Sequence, residues 1–234
     1  VSDGDYILDF FSGSGTTAHA TFLANVAQSQ NRHFILVQLP EEITEIGATS
    51  EKSKKVARSA IALCDSLGVS HTICEIGKER IRRAGKKIKE DNPLITQGLD
   101  IGFRVLKCDT SNMKEVYYNP AEYEQSLFSS LEDNIKEGRT PEDLLFQVML
   151  DLGVLLSSKI EEKTIAGKKV FNVEDNYLIA CFDDNVTEEV ITEIAKQKPY
   201  YFVMRDSSMA NDSVATNFEQ IFATYSPDTV RKVL

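Results

Sequence analysis

The sequence predicts an α/β protein built from two units, and three observations carry that prediction. Near the amino terminus an apolar stretch (5–11) runs into a glycine turn, then a helical stretch, then a second apolar stretch closed by Pro40. Strand, turn, helix and strand in that order make a βαβ unit with parallel strands. In the second half, short apolar runs again alternate with helical periodicity, without repeating the first half. The charge balance also changes: residues 1–90 hold 12 Lys and Arg against 11 Asp and Glu, whereas residues 91–234 hold 14 against 25. A boundary is expected between about 110 and 125, giving units of 1–115 and 116–234.

Taken in order, "DYILDFF" (5–11) reads as a short buried strand and "TTAHATFLANVAQSQ" (16–30) as the helix after the turn. "RHFILVQLP" (32–40) is the second strand. Residues 41–55 are polar and read as a loop or partly helical insertion. "KKVARSAIALCDSLG" (54–68) has apolar residues at helical spacing and a stopping glycine at 68. "GKERIRRAGKKIKED" (77–91) is a helix with seven bases, Lys78, Arg80, Arg82, Arg83, Lys86, Lys87 and Lys89. "GFRVLKCD" (102–109) alternates as a strand, and 109–123 is loop-like with Asn119-Pro120 as a breaker.

Past the boundary, 123–138 reads as a helix closed by Gly138. Residues 139–153 form a second helix, with Thr140 to cap it, Pro141 at the first helical position and Asp143 three residues after the cap. A hairpin over 163–173 turns at Ala166-Gly167. Strand 176–183, helix 187–197, strand 200–206 and helix 211–225 follow.

Several function classes are excluded or disfavoured by bulk properties. No apolar run reaches the roughly 20 residues that span a bilayer, and no signal peptide is visible. The four cysteines, Cys64, Cys74, Cys108 and Cys181, lie far apart without a C-x-x-C pair. They read as buried free thiols of a reducing cytoplasm rather than as metal ligands. An acidic second half is a poor nucleic-acid surface, because phosphate contacts need positive charge. The first residue is Val1, and the sequence reads as a piece of a longer protein.

The stretch "DFFSGSGTT" (9–17) carries the chemistry. A strand that ends in glycines and opens a helix aims backbone N–H groups and the helix's positive end at one point, and glycines let a ligand come close. A phosphate-binding loop would need a lysine after its last glycine, where Thr16 and Thr17 stand instead. A dinucleotide fingerprint would tolerate Ala18 at the third glycine position, but the second strand ends with Gln38 where an acidic ribose ligand belongs. A nucleophile elbow needs G-x-S-x-G, which Gly13-Ser14-Gly15 does not supply.

The longer string "LDFFSGSGTTAHA" closely resembles the first motif of the amino-group DNA methyltransferases, which bind S-adenosylmethionine. Further stretches extend the likeness over nearly the whole chain: "NRHFILVQLPEE", "ERIRRAG", "LDIGFRVLKCDTSN" and "YYFVMRDSSMANDSVATNFEQIF". In that order they resemble the modification (Mod) subunit of type III restriction-modification systems, an S-adenosylmethionine-dependent adenine-N6 DNA methyltransferase. The resemblance implies a partial Rossmann-like methyltransferase sheet followed by a second small α/β assembly domain.

The same resemblance implies a cofactor-binding set. Asp9 and Phe11, with Phe10 beside them, would line the methionine and adenosine parts of S-adenosylmethionine. Gly13, Ser14 and Gly15 would give close backbone contacts, Thr16 would cap the helix start, and Gln38, or Glu41 just beyond it, would stand at the ribose. Similar enzymes hold the flipped adenine with a D/N-P-P-Y/F/W string. None occurs here, since Asn92-Pro93 continues with Leu94 and Asn119-Pro120 with Ala121. In this branch the catalytic motif and the target-recognition region precede the first motif. The chain is therefore expected to be a carboxy-terminal portion, inactive alone, with no catalytic residue and no metal site assigned. Implied partners are DNA, mainly through upstream regions, the restriction (Res) subunit and a second modification subunit, in the cytoplasm and without a membrane.

Other candidates have simpler readings. The bases of 77–91 fall on several faces, so a solvated helix competes with a DNA contact. His19, His33 and His71 read as core or surface residues, and "RDSS" (205–208) as a helix cap rather than a reactive serine. Two further classes stay open: an assembly module without cofactor binding, and, less favoured, a nicotinamide-dependent oxidoreductase.

Overall fold

The computed structural model describes residues 1–46, 50–114 and 134–234. The chain is a mixed α/β protein that divides into two compact units, Val1–Leu106 and Lys107–Leu234.

In the first unit, strand β1 (Tyr6–Asp9) leads through the glycine turn into helix α1 (Thr16–Gln28), which returns to strand β2 (His33–Leu36). The strands are parallel, with Leu8 opposite Ile35 and Asp9 opposite Leu36. A left-handed Ser29 ends α1, and the buried Asn25 then clips the chain to the next strand. Its side chain accepts from the Arg32 N–H at 3.0 Å and donates to the Arg32 carbonyl at 2.9 Å. That reciprocal pair satisfies two backbone groups that a loop leaving a helix would otherwise bury unpaired.

Helices α2 (Glu51–Leu67) and α3 (Ile73–Asp91) follow. Ser50 and Ser53 close a capping box at the start of α2, and Gly68 closes its end in the left-handed conformation. Helix α3 starts four residues earlier than its sequence pattern marked. It buries Gly77, Ile81, Ala84, Gly85 and Ile88, a stripe at helical spacing, against Ala18 and Phe22 of α1. Phe34 and Leu36 pack on this core from β2, so one face of the two-stranded sheet is covered. The other face leaves Tyr6, Leu8 and Ile35 exposed. Parallel strands are ordinarily covered on both faces.

The strand expected over 102–109 is absent: this stretch has no ladder partner among the described residues. Within it Phe103 packs on the core of the first unit, whereas Val105 and Leu106 are exposed. Leu99, Ile101 and Phe103 lie against the core that α3 builds. Gly85 permits the approach, since a Cβ there would sit 2.9 Å from the Ile101 Cβ.

The second unit is a three-layer α/β body. Helix α4 (Pro141–Asp151) precedes hairpin β3 (Ile160–Ile165) and β4 (Lys168–Val173), then β5 (Leu178–Cys181), α5 (Glu188–Lys196), β6 (Tyr201–Met204), α6 (Asp212–Tyr225) and β7 (Val230–Val233). The sheet order is β3-β4-β5-β6-β7, antiparallel through β5 and parallel from β5 to β7. Ala166 and Gly167 both take positive φ, 45° and 81°, which is what a two-residue hairpin turn demands. Along β5 the buried side chains alternate: Ile179 and Cys181 face Ile191, Ile194, Phe218 and Phe222 of α5 and α6, while Leu178 and Ala180 face Leu144, Leu145 and Met149 of α4. Burial pushes the Cys181 thiol up to about 11, so it stays protonated and inert.

Further expectations need correction or restriction. Strand β7 lies beyond the last element expected from the sequence, the helix at 211–225. It pairs with β6 on one side only, which leaves Arg231 and Lys232 room to reach carboxylates. Cys74 is half-buried and Cys108 exposed, against the expectation of four buried thiols. "RDSS" does not cap α6: Asn211 does, accepting from the Val214 N–H, while Asp206–Ser208 forms a single 3-10 turn. The helix expected at 123–138 falls on residues 123–133, outside the described residues, and the described 134–138 are not helical. Asn119-Pro120 also lies outside them.

The start of α4 is as its residues dictate. The Thr140 hydroxyl accepts from the Asp143 N–H, and the Asp143 carboxylate accepts from the Thr140 N–H at 2.8 Å. These backbone and hydroxyl donors hold Asp143 below its usual 3.8. A lowered acid stabilises the fold above its ordinary value, and that contribution disappears as pH falls through the folded one. Thr140→Ala should therefore destabilise the second unit by about 1 kcal/mol at pH 7. The difference from the unsubstituted protein should shrink below about pH 4, which urea titrations at pH 7 and pH 3 measure.

Candidate functional site

The residues singled out at the glycine turn meet at the carboxyl end of β1. Strand β1 delivers Asp9, whose carboxylate accepts from the Phe11 N–H at 3.1 Å and from the Thr17 hydroxyl. Both donors lie within the same loop-to-helix segment, so the carboxylate is fixed beside the turn that follows it. It is only partly buried and keeps lone pairs for a cationic group. Phe10 and Phe11 are exposed, Phe11 by 89 %.

The turn itself rests on two left-handed glycines. Gly13 has φ +51° with open space where a side chain would stand, which leaves the backbone approachable. Gly15 has φ +74° and is buried: a Cβ there would lie 3.2 Å from the Gly77 carbonyl oxygen of α3. The two glycines thus do different things. One keeps the turn open outward, and the other lets the turn pack backbone-on-backbone against α3. Gly77 completes the contact from its side, where a Cβ would meet the Gly13 carbonyl oxygen at 3.4 Å.

Gly15 occupies the cap position of α1 with no side-chain cap, and Thr16 is the first helical residue rather than the cap. No acidic residue lies in the first turn of α1. The negative group that meets this end of the helix comes from the strand, the Asp9 carboxylate on the Thr17 hydroxyl.

Gln38 has a role the sequence did not reveal. Its side-chain oxygen accepts from the Gly13 N–H at 2.7 Å, and its amide nitrogen donates to the Leu39 carbonyl at 3.2 Å. It braces the turn from the end of the second strand, while Ser12 and Val37 add a backbone bond between the same segments. Glu41 lies beyond, its carbonyl accepting from the Ile73 N–H at the start of α3.

Arg80 was also unforeseen as a site residue. One nitrogen of its guanidinium, Nη1, donates to the Ser14 hydroxyl at 2.7 Å and to the Thr16 hydroxyl at 2.8 Å. The rest of the basic helix is largely neutralised in place. Lys78 pairs with Glu75, Arg82 and Arg83 with Glu79, and Lys86 with Glu90. Arg82 also lies over the Phe103 ring. The pairing of bases with acids three or four residues away was legible in the sequence; the reach of Arg80 to a turn 64 and 66 positions earlier was not. The histidines keep modest roles, His33 stacking on Tyr6 and His71 meeting Asp65 at 2.7 Å.

A carboxylate at a strand end thus stands beside an open glycine turn and the start of a helix, which is the geometry these residues share. Comparison with known proteins gives the family likeness. Residues 1–49 match the family model described as DNA methylase. Over 98 residues, 42 % of this chain and 12 % of the relative, the chain is 35 % identical to the type III restriction-modification enzyme StyLTI Mod subunit of Salmonella typhimurium. Over 222 residues, 93 % of this chain and 29 % of the relative, it is 29 % identical to the EcoP15I Mod subunit of Escherichia coli. The resemblance to type III Mod subunits is borne out. The chain spans less than a third of the length of these relatives.

The two glycines are separable by substitution. Gly13→Ala should cost about 1 kcal/mol, the strain of a left-handed alanine in open space. Gly15→Ala should cost more, about 2–4 kcal/mol, because the same strain adds to a clash with the α3 backbone. Chemical denaturation of the two variants compares them, and equal losses would contradict the backbone-on-backbone contact.

Proposed function

We propose that this chain is the cofactor-binding portion of a type III DNA methyltransferase subunit, which binds S-adenosylmethionine for methyl transfer to the N6 amino group of adenine. The observation that carries the reading is the Asp9 carboxylate fixed between an open glycine turn and the start of α1. The ligand's ammonium suits Asp9, its carboxylate suits the amides of the first turn of α1, and its adenine suits the exposed Phe10 and Phe11. Gly13, Ser14, Gly15 and Thr16 form the wall of that site. Gln38 stands on the ribose side and, by bracing Gly13, holds the turn in shape. The bound cofactor supplies the methyl group; the chain's own residues bind and orient it.

In this reading β1, α1 and β2 are part of a Rossmann-like sheet. The exposed Tyr6, Leu8 and Ile35 support that assignment, since a parallel pair calls for cover on its second face. The sequence carries no D/N-P-P-aromatic string, so base binding and catalysis belong to other parts of the full-length subunit, and this portion alone is inactive. DNA, the restriction subunit and a second modification subunit are the partners, with residues 116–234 as the assembly domain. Among the described residues no helix is long and apolar enough to cross a membrane, and the proposed setting is the cytoplasm.

Calorimetric titration of the protein with S-adenosylmethionine, with NAD as control, tests the reading. Saturable heat with the first ligand alone is expected. Asp9→Ala should weaken binding at least tenfold, the loss of one charge-assisted contact. Binding of NAD alone, or of neither ligand, would refute it.

A further inference from the structure

Arg80 is the one base of α3 that reaches the glycine turn, and its surroundings are electrostatically incomplete. Lys78, Arg82, Arg83 and Lys86 on the same helix each meet a carboxylate. Arg80 meets two neutral hydroxyls, Ser14 at 2.7 Å and Thr16 at 2.8 Å, and no carboxylate partner among the described residues. Those hydroxyls flank the buried Gly15 at the start of α1, where the helix already presents its positive end without an acidic residue in the first turn. The Asp9 carboxylate at the same helix start is already held by the Phe11 N–H and the Thr17 hydroxyl. The guanidinium and the helix start together favour an anion beside the Ser14 and Thr16 hydroxyls.

The hydrogen-bond directions add to the charge. A hydroxyl that accepts from a guanidinium N–H has its own proton free to donate elsewhere. By donating to both oxygens, Arg80 turns Ser14 and Thr16 into donors. A guanidinium carries five N–H groups in a rigid fork, so a second nitrogen remains for further contact. The buried face of α3 fixes the side chain's origin, because Gly77, one turn earlier, is pressed against the turn's own backbone.

We infer that Arg80 is a positioning residue for the carboxylate end of the cofactor: it orients the Ser14 and Thr16 hydroxyls as donors and supplies the charge that selects an anion there. This rests on the reading of the turn as an S-adenosylmethionine site. It also assigns the base a task inside the protein in place of a DNA contact.

A binding cycle tests it in the full-length polypeptide. S-adenosylmethionine and its decarboxylated analogue, which keeps the ammonium, are titrated into the unsubstituted protein, Arg80→Gln and Arg80→Lys. Arg80→Gln should weaken S-adenosylmethionine about ten- to hundredfold and leave the analogue within about twofold. Arg80→Lys, which keeps the charge but not the fork, should fall between. Thermal melts check folding, and if Arg80→Gln does not fold, the lysine variant carries the same comparison. Equal weakening of both ligands would overturn the inference by showing a purely structural arginine. Binding of neither ligand by the unsubstituted protein would instead refute the cofactor reading itself, and the inference with it.

Discussion

The contact between the glycine turn and α3 is the constraint on which the first unit depends. Gly15 and Gly77 meet without side chains between them, at distances where a Cβ on Gly15 would press on a carbonyl oxygen. Everything near the site inherits its position from that approach. It sets where α1 begins, it brings Arg80 over the turn, and it aligns the apolar stripe of α3 with Ala18 and Phe22. The core of this unit is small, so close packing of a few residues decides its geometry more than total burial does. The ion pairs of the exposed bases Arg82, Arg83 and Lys86 add little stability by comparison, since solvent screens them.

The second unit is stabilised differently. Its sheet is buried on both faces, and β5 lies at its centre with four fully buried residues. The strands β5, β6 and β7 are joined by helices that both pack on one face, as same-handed crossovers between adjacent parallel strands require. Side-chain alternation along each strand divides the apolar residues between the two helical layers. The first unit, by contrast, leaves Tyr6, Leu8 and Ile35 exposed on one face of its parallel pair.

Legibility followed the range of the interactions. The capping box of Thr140 and Asp143, the hairpin turn at Ala166-Gly167 and the stop at Gly68 each need only a few neighbouring residues, and each was read correctly. Where a local pattern admits two physical causes, the reading failed. The alternation in 102–109 found no neighbouring strand among the described residues, and its Val105 and Leu106 are exposed. The charged "VRKV" of β7 hid an edge strand, whose side chains need only one apolar neighbour layer. The "RDSS" cap was displaced by Asn211 because the chain makes a further turn before α6 begins.

The sequence by itself determined the local chemistry: a strand ending in a carboxylate, two glycines able to take positive φ, and a helix start free of acidic residues. These follow from residue types in fixed order, since bond geometry and sterics act over a few positions. Only the tertiary structure decided how that chemistry is held. Gln38 on Gly13, Gly77 against Gly15 and Arg80 on the Ser14 and Thr16 hydroxyls join residues 25 to 66 positions apart. No local rule encodes such pairs, because they exist only once α3 has packed on α1 and the second strand has closed beside the first.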